Sequence, residues 1–278
     1  MSVLKYFAMA GDKPYKVASL GGGDALDPVT VIDGDYFEGC IFNEAGWIKG
    51  QFSDEKLVRH ETDELLLFAG SDVDDYRNLN AEIEIQIEND TLRLTKCCIV
   101  FVPAGAAHGN ISVKSIEKPV YYYACQLAAD TYKEEPAEPS AAAGTFVNNV
   151  VETYAPVGVH RTTEPTPTGK PLIWIDGSKI KGAPYMESMW FTGLRDRGPD
   201  PHVHDFDEFL GFFGSDPDNP DDLYGEMMFT VEDQEITFTK SSLVYVPRGV
   251  RHSPMFIKEI NRPILHFSGG NGGDYKKS

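Results

Sequence analysis

The sequence predicts an all-β protein built from two similar halves. Strand-like segments rich in β-branched and aromatic residues alternate with turn residues along the 278-residue chain, and the amphipathic pattern of a long helix is missing from the sequence. Residues 81–88 (AEIEIQIE) alternate strictly between polar and apolar, which is typical of a half-buried strand. The second half then repeats the pattern of the first, so two domains of ordinary size are expected.

The first half begins with a segment that is expected to be irregular. Residues 1–28 contain the run GGGD at 21–24 and end on Pro28. The first predicted strand covers residues 29–33 and ends in the turn pair Asp33-Gly34. Further strand signals follow in residues 36–37, 40–42, 47–48, 81–88, 92–94, 99–102 and 120–123.

The composition changes between the two halves. Residues 133–144 read KEEPAEPSAAAG, which is typical of a linker or a loosely attached crossing segment. A short helix through residues 141–143 is the alternative interpretation. The predicted organisation is a first unit at 1–132, a linker at 133–146 and a second unit at 147–278.

The register of the repeat changes by only one residue along the chain. The Asp33-Gly34 turn and Gly39 match Asp176-Gly177 and Gly182 at an offset of 143 in the numbering. From residue 60 onward the offset is 144, and it holds without a gap over a long stretch that includes both motifs described below. The matched pairs include His60 and His204, Glu64 and Glu208, Gly70 and Gly214, Pro103 and Pro247, Gly105 and Gly249, and His108 and His252.

The second half carries a set of metal-ligand residues: His202, His204, Glu208 and His252. Imidazoles and a carboxylate suit a divalent metal such as Fe, Mn, Ni or Zn. Residues two apart share a face of a strand, so the first three ligands are expected to point the same way. A tight turn with Pro247 at its second position is expected to return His252 to them. The alternative is four unrelated polar residues.

These two motifs, His-x-His-x3-Glu and Pro-x-Gly-x-x-His, resemble those of the cupin superfamily. The resemblance implies that the four side chains bind one metal inside a small antiparallel β-barrel. Together with the repeat it implies a bicupin, with two cupin-type double-stranded β-helix (jelly-roll) barrels arranged as a pseudo-dimer.

The first half lacks one ligand, because Val58 stands where the repeat places His202. Its remaining residues, His60, Glu64 and His108, can still hold non-haem iron as a facial triad. A decayed site with leftover polar residues is the alternative. The sequence therefore predicts one tightly bound divalent transition metal per chain in the second half, and a weaker second metal in the first.

Other residues near the motifs are candidates for the pocket or for catalysis. Phe206, Leu210 and Phe212 share the ligand parity and suggest an apolar pocket, but ordinary core packing is the favoured interpretation for most of them. The candidate catalytic residues are His266, Arg248, Arg251 and Tyr245. The alternatives are a core histidine for His266 and surface charges for the arginines.

Composition excludes some functions. A net charge of −18 argues against binding to nucleic acid or to an anionic membrane surface. The sequence contains neither a signal-type apolar run nor a Cys-x-x-Cys pair, so a cytoplasmic protein with reduced thiols is expected. A homodimer is compatible with the sequence.

The leading functional hypothesis is a metal-dependent enzyme that acts on a small organic acid, polyhydroxy or phenolic substrate. Oxalate decarboxylases and quercetin dioxygenases are bicupins that this chain resembles in its metal motifs alone, without a residue that matches their acid/base group. Dioxygenation, decarboxylation and isomerisation are the reaction types considered. The alternative is a non-catalytic binding, sensor or storage protein. Solvent access to the metal discriminates between the two, because an enzyme needs an open metal face beside a pocket.

Overall fold

The computed structural model describes residues 3–157 and 161–272, and within these ranges the chain is all-β. Two 3-10 helices, Val3–Tyr6 and Gly23–Ala25, are the only helices of the described residues. The strands are β1 (Phe7–Met9), β2 (Leu26–Ile32), β3 (Phe42–Ile48), β4 (Ser53–Arg59), β5 (Glu64–Gly70), β6 (Asn78–Ile87), β7 (Asp90–Lys96), β8 (Cys98–Val102), β9 (His108–Ile116), β10 (Val120–Gln126), β11 (Glu135–Pro136), β12 (Val150–Val151), β13 (Gly169–Ile175), β14 (Met186–Phe191), β15 (Glu208–Gly214), β16 (Asp222–Val231), β17 (Gln234–Lys240), β18 (Ser242–Val246), β19 (His252–Ile260) and β20 (Ile264–Gly270).

The first half forms one antiparallel jelly-roll barrel. A sheet of order β12-β8-β5-β10-β3-β2 packs against a sheet of order β11-β4-β9-β6-β7. The predicted half-buried strand at 81–88 lies in β6, where Ile83, Ile85 and Ile87 are fully buried and the residues between them are partly exposed. The alternation therefore places one face of β6 in the barrel core, as the pattern predicts.

The second half forms a similar barrel from the sheets β1-β18-β15-β20-β14-β13 and β17-β16-β19. Its strands β15 to β20 have the same bounds as β5 to β10 when the numbering is shifted by 144, and β13 matches β2 when it is shifted by 143. The counterpart of β4 is not a strand; only isolated bridges, between Arg195 and Ile257 and between His202 and His252, join this segment to β19. The two barrels together make the predicted pseudo-dimer.

The two barrels exchange strands. β1, from the start of the chain, pairs with β18 of the second barrel, and β12 pairs with β8 of the first. Residues 7 and 150 are related by the offset of 143, so the exchanged strands are equivalent and the exchange is reciprocal. The expectation of an irregular segment at 1–28 is therefore wrong in part, because β1 and the start of β2 lie within it. The sequence pattern does not show β1 because the strand is short and is formed by pairing with β18, which lies near the other end of the chain.

Aromatic side chains fill the interface between the barrels. Tyr121 lies 4.8 Å from Phe213, measured between ring centroids, and Tyr123 lies 4.3 Å from Phe267 and 5.9 Å from Phe209. These rings project from β10, β15 and β20, whose other faces point into the barrels. The contact between the halves is thus a buried aromatic layer, which adds ring-packing energy to the burial of apolar area.

The segment predicted as a linker is attached to the first barrel. β11 pairs with β4, and the backbone N–H groups of Ala141 and Gly144 donate to the carboxylates of Glu88 and Asp90 at 2.8 and 2.5 Å. Residues 141–143 contain no helix. The composition of this segment predicted a linker or a loose attachment, whereas the two carboxylates that hold it lie 53 and 54 residues away, at the turn between β6 and β7.

All four cysteines (Cys40, Cys97, Cys98 and Cys125) are buried and free of disulfides. No helix in the described ranges is long and apolar enough to cross a membrane.

Candidate metal centres

The second barrel brings its four predicted ligands together at one end of the sheet. The backbones of His202 and His252 exchange two hydrogen bonds of 3.0 Å, and the N–H of Gly249 donates to the carbonyl of His204 at 2.9 Å. Glu208 is the first residue of β15. The ligand nitrogens of the three histidines lie within 4.8 Å of one another.

The local backbone differs from the one expected. The ligands do not share one strand, since β15 begins only at Glu208 and residues 203–207 are irregular. Inside that irregular stretch His204 stacks on Phe206, with ring centroids 4.5 Å apart. The Pro-x-Gly turn forms, but the bond from Val250 N–H to the Pro247 carbonyl makes Pro247 its first residue rather than its second. Gly249 takes the left-handed position at φ 77°, which glycine adopts without strain.

Backbone carbonyls fix the ring orientation of two ligands. Nδ1 of His202 lies 2.7 Å from the carbonyl oxygen of Asp200, and Nδ1 of His252 lies 3.0 Å from that of Val250. A carbonyl only accepts, so each Nδ1 carries a proton, and in the neutral imidazole Nε2 then presents its lone pair to the centre. This second contact is the usual way in which a protein orients a metal-binding imidazole.

Glu208 is the fourth predicted ligand, and its carboxylate lies beside the histidine rings. Its Oε2 lies 2.9 Å from Nε2 of His252, and its Oε1 lies 3.9 Å from Nε2 of His204. Burial raises the pKa of Glu208, but the neighbouring His252, His204 and His202 outweigh it, so the pKa lies below its usual value. The carboxylate is therefore ionised, the form in which it binds a cation.

The first barrel assembles its three ligands even more tightly. Nε2 of His60 and Nε2 of His108 are 3.1 Å apart, and Oε2 of Glu64 lies 3.5 and 3.1 Å from them. All three residues are buried. Burial raises the pKa of Glu64, but His108 and His60 lower it further, to about 2.

These distances fit a bound cation. Nδ1 of His60 faces the Lys133 carbonyl at 2.7 Å and Nδ1 of His108 faces that of Ala106 at 3.0 Å, so both Nε2 atoms direct lone pairs to the same point. Two lone pairs and a carboxylate at such separations need a proton or a metal ion between them. Metal–nitrogen bonds of about 2.1 Å place neighbouring ligand atoms about 3.0–3.4 Å apart in octahedral or tetrahedral sites, which matches this triad.

Val58 occupies the position of the missing fourth ligand. It pairs with His108 in the register of β4 and β9, just as His202 pairs with His252. Both members of these two pairs are related by the offset of 144, so the alignment made from sequence holds in space. Val58 is buried against the triad's cavity, where its apolar side chain cannot coordinate.

Comparisons with known proteins give the fold a name. No protein-family model matches the chain, and no curated protein matches it in sequence. Among solved structures it is similar to oxalate decarboxylase from Bacillus subtilis, with a TM-score of 0.56 and 10% identity over 96% of this chain and 80% of that one. It is also similar to AerE from Microcystis aeruginosa, with a TM-score of 0.50 and 13% identity over 96% and 98% of the two chains. The chain has the cupin fold.

In both cupin barrels a buried glutamate from the neighbouring strand faces the interior, and sequence reasoning missed it. Glu44 pairs with Ala124 and Glu187 pairs with Ser268, which are equivalent registers. Glu187 accepts hydrogen bonds from the hydroxyls of Tyr154 (2.5 Å) and Tyr185 (2.8 Å) and contacts Arg161 at 3.1 Å. The offset of 143 in the sequence pairs the two glutamates, and that pairing was the available signal.

The segments that precede β2 in the first barrel and β13 in the second lie against these glutamates. In the first barrel the backbone N–H groups of Ala18 (3.0 Å) and Ser19 (2.8 Å), together with the Ser19 hydroxyl, donate to Glu44. Arg161 occupies the position equivalent to Ala18 at the offset of 143. Burial raises the pKa of Glu44. The first barrel is thus closed by its own backbone where the second presents an arginine.

Each candidate centre adjoins a cavity. In the first barrel a cavity of about 230 Å³ is lined by Glu64 and His108. In the second, a cavity of about 70 Å³ is lined by His202, Glu208 and His252, and it shares four wall residues with an outer cavity of about 290 Å³. The shared residues are Arg161, Glu187, Met189 and Arg195. Both centres therefore have space beside the ligands.

Only one of the four candidate catalytic residues lines that inner cavity. It is His266, which donates from Nδ1 to the Gly211 carbonyl at 2.9 Å and stacks between two phenylalanines. Burial lowers the pKa of His266 to about 3, so it is neutral. Arg248 pairs with Asp207 and Arg251 with Asp233 on the exposed surface, outside the cavity.

The remaining candidates also separate from the site. Tyr245 lies at the interface of the barrels, where its hydroxyl donates to the Gly39 carbonyl at 3.3 Å and its ring packs on Phe37. Of the apolar residues expected around the ligands, Leu210 lines the cavity, whereas Phe206 and Phe212 pack on histidine rings.

Replacing Val58 by His should create a fourth ligand in the first barrel. The side chain would start from the same register as His202, beside a triad that already converges. We expect the metal affinity of the first barrel to rise by about tenfold or more, with the fold unchanged. Equilibrium dialysis with Mn(II) or Zn(II), in a chain whose second site carries His204→Ala, isolates the effect. Val58→Ala is the matched control, and an equal affinity in both variants would contradict the prediction.

Proposed function

We propose that the protein is a bicupin, derived by internal duplication, and a metal-dependent enzyme that acts on a small organic substrate at the second barrel. The supporting observation is the cavity beside His202, Glu208 and His252, which leaves one side of the four-ligand set free of protein. A substrate entering through the outer cavity reaches that side. An organic acid, a polyhydroxy compound or a phenol each has an oxygen atom suited to the open position.

The residues of the site have separate tasks in this proposal. His202, His204, Glu208 and His252 would hold a divalent metal, and the oxalate decarboxylase that shares the fold has Mn(II) centres. When bound, such a metal supplies Lewis-acid chemistry to a substrate oxygen. The carbonyls of Asp200 and Val250 keep two rings in the coordinating orientation.

The chain's own residues also shape the environment of the substrate. Leu210, Phe191 and Phe229 give the inner cavity an apolar side, which limits the access of water to the reacting group. The hydroxyl of Tyr185 lies between Glu187 (2.8 Å) and Ser268 (3.0 Å). This chain of hydrogen bonds can hold or move a proton beside the substrate. Decarboxylation, isomerisation and oxygen-dependent cleavage all require such a proton transfer or a dry pocket.

The test is turnover by metal-loaded protein. Protein purified without added metal is analysed for its metal, loaded with Mn(II), Fe(II), Ni(II) or Zn(II), and incubated with small organic acids, polyols and phenols while NMR follows each substrate. Oxygen consumption separates a dioxygenase from a decarboxylase or isomerase. We expect turnover that Glu208→Gln abolishes. Tight ligand binding without any turnover would favour a non-catalytic binding protein instead.

A further inference from the structure

Arg195 stands where the inner and outer cavities of the second barrel meet. It lines both cavities, together with Arg161, Glu187 and Met189. Its backbone is fixed to Ile257 by two hydrogen bonds of 3.0 and 3.3 Å, and its guanidinium lies 4.9 Å from the centre of the Phe191 ring. The backbone bonds and the Phe191 ring therefore position the Arg195 side chain between the outer cavity and the candidate metal ligands.

The positive charge of Arg195 is not matched by a carboxylate among the described residues. In residues 3–157 and 161–272 no Asp or Glu oxygen lies within ion-pair distance of the Arg195 guanidinium. Glu187, the acidic residue that lines both cavities, already accepts hydrogen bonds from the hydroxyls of Tyr154 and Tyr185 and contacts the guanidinium of Arg161. Burial and the neighbouring Arg161 lower the pKa of Arg195, and together they outweigh the opposing effect of the Glu187 carboxylate. A half-buried guanidinium in this setting is stabilised by an external anion.

The first barrel has no such charge at the equivalent place within its described residues. Its Val113 N–H donates to the Phe52 carbonyl at 2.9 Å, as the Ile257 N–H does to that of Arg195, so Phe52 is the counterpart. Phe52 packs on the segment that closes the first barrel, where a Cβ at Gly22 would lie 2.9 Å from its ring. Lys56, a cation at that cavity, is paired with Glu134. At the position equivalent to Arg195 the first barrel thus carries the uncharged Phe52, so a cation at this place is a property of the second barrel.

We infer that Arg195 binds an anionic group of the substrate, so that the second barrel takes an organic acid with a second negative group besides the one that faces the metal ligands. This inference rests on the proposed function, and it selects organic acids over neutral polyols and phenols. Arg195 fits the task because its planar fork can bind a carboxylate through two hydrogen bonds. The open outer cavity leaves room for a longer tail on the same acid.

The test uses two nearly isosteric probes, malonate and malonamate, which differ by one negative charge. The protein carries His60→Ala, so that only the second barrel keeps its metal, and it is loaded with Co(II), whose visible spectrum reports binding. We expect malonate to bind more tightly than malonamate. Arg195→Gln should weaken the binding of malonate by about tenfold or more and leave the affinity for malonamate unchanged. Arg195→Lys should restore part of the difference, and Arg251→Gln, an exposed charge on the same motif, should have no effect.

The outcomes separate the two proposals. If both probes change the spectrum and Arg195→Gln weakens both equally or neither, the role of Arg195 is overturned while the proposed function stands. If no small acid changes the spectrum of the parent protein, or if Co(II) does not bind, both are overturned. Normal circular dichroism and retention of one Co(II) per chain in Arg195→Gln show that the variant is folded.

Discussion

Replacing His204 by Ala should remove the tightly bound metal from the protein. His204 is buried, and its ligand nitrogen lies within 4.8 Å of those of His202 and His252. Loss of a residue that merely supports a ligand costs about 10- to 100-fold in metal affinity, so loss of a ligand should cost more than about 100-fold. The number of metal ions that stay bound after dialysis should fall from one per chain to none. The stabilisation that excess metal gives in thermal unfolding should shrink in parallel.

His60→Ala is the matched control, since it removes the equivalent ligand of the first barrel. This variant should keep the tightly bound metal ion of the second barrel, because three histidines and a carboxylate hold a cation better than two histidines and a carboxylate. The first triad is compact, with ligand atoms 3.1–3.5 Å apart, so a second and weaker metal should disappear in this variant. Retention of the tight metal in His204→Ala and its loss in His60→Ala would show that the tight site is in the first barrel.

Gly214→Ala should destabilise the protein strongly, although it adds a single methyl group. Gly214 ends β15, and a Cβ there would lie 1.9 Å from the carbonyl oxygen of Asp222, at the start of β16. The obstacle is backbone, so relief requires a shift of a strand rather than of a side chain. We expect a loss of about 3 kcal/mol in the free energy of unfolding, at the upper end of overpacking effects. Urea or thermal denaturation measures it.

The repeat supplies an internal check on this result. Gly70 ends β5 in the same way, and a Cβ there would lie 2.1 Å from the carbonyl oxygen of Asn78. Gly70→Ala should therefore destabilise by a similar amount. Gly50→Ala is the control, because its nearest neighbour, the Ala25 side chain, would lie at 3.4 Å. It should change the unfolding free energy by less than about 1 kcal/mol, and a comparable loss in all three variants would refute the steric explanation.

The candidate ligand sets could be recognised from the sequence because metal binding restricts both residue type and spacing. The pairing of Val58 with the position of His202 also followed from the repeat, since a constant offset maps one barrel onto the other. The conformation of 203–207 was not predictable in this way. A strand and an irregular stretch can both present residues two apart, and only the packing of Phe206 on His204 distinguishes them.

Most of the residues around the ligands could not be found by pattern analysis for a related reason, and only Glu187 had a signal, its match to Glu44 in the repeat. Glu187 lies on β14, Tyr154 and Arg161 precede β13, and Arg195 follows β14, so the wall of the cavity is assembled from separate elements. None of these residues belongs to a motif, and arginine and glutamate are ordinary surface residues in a sequence. Conversely, Arg248 and Arg251 are close to His252 in sequence but point to solvent.

The sequence by itself determined the all-β class, the two equivalent halves and the candidate ligands of both centres. Each of these is encoded locally, by residue alternation, by turn residues or by a fixed spacing that recurs at an offset of 143 or 144. Only the tertiary structure decided the exchange of β1 and β12 between barrels, the closure of the first barrel over Glu44 and the entry of Arg195 into the second cavity. These features depend on contacts between residues far apart in the chain, where short segments have many possible partners and the packing of the whole barrel selects one.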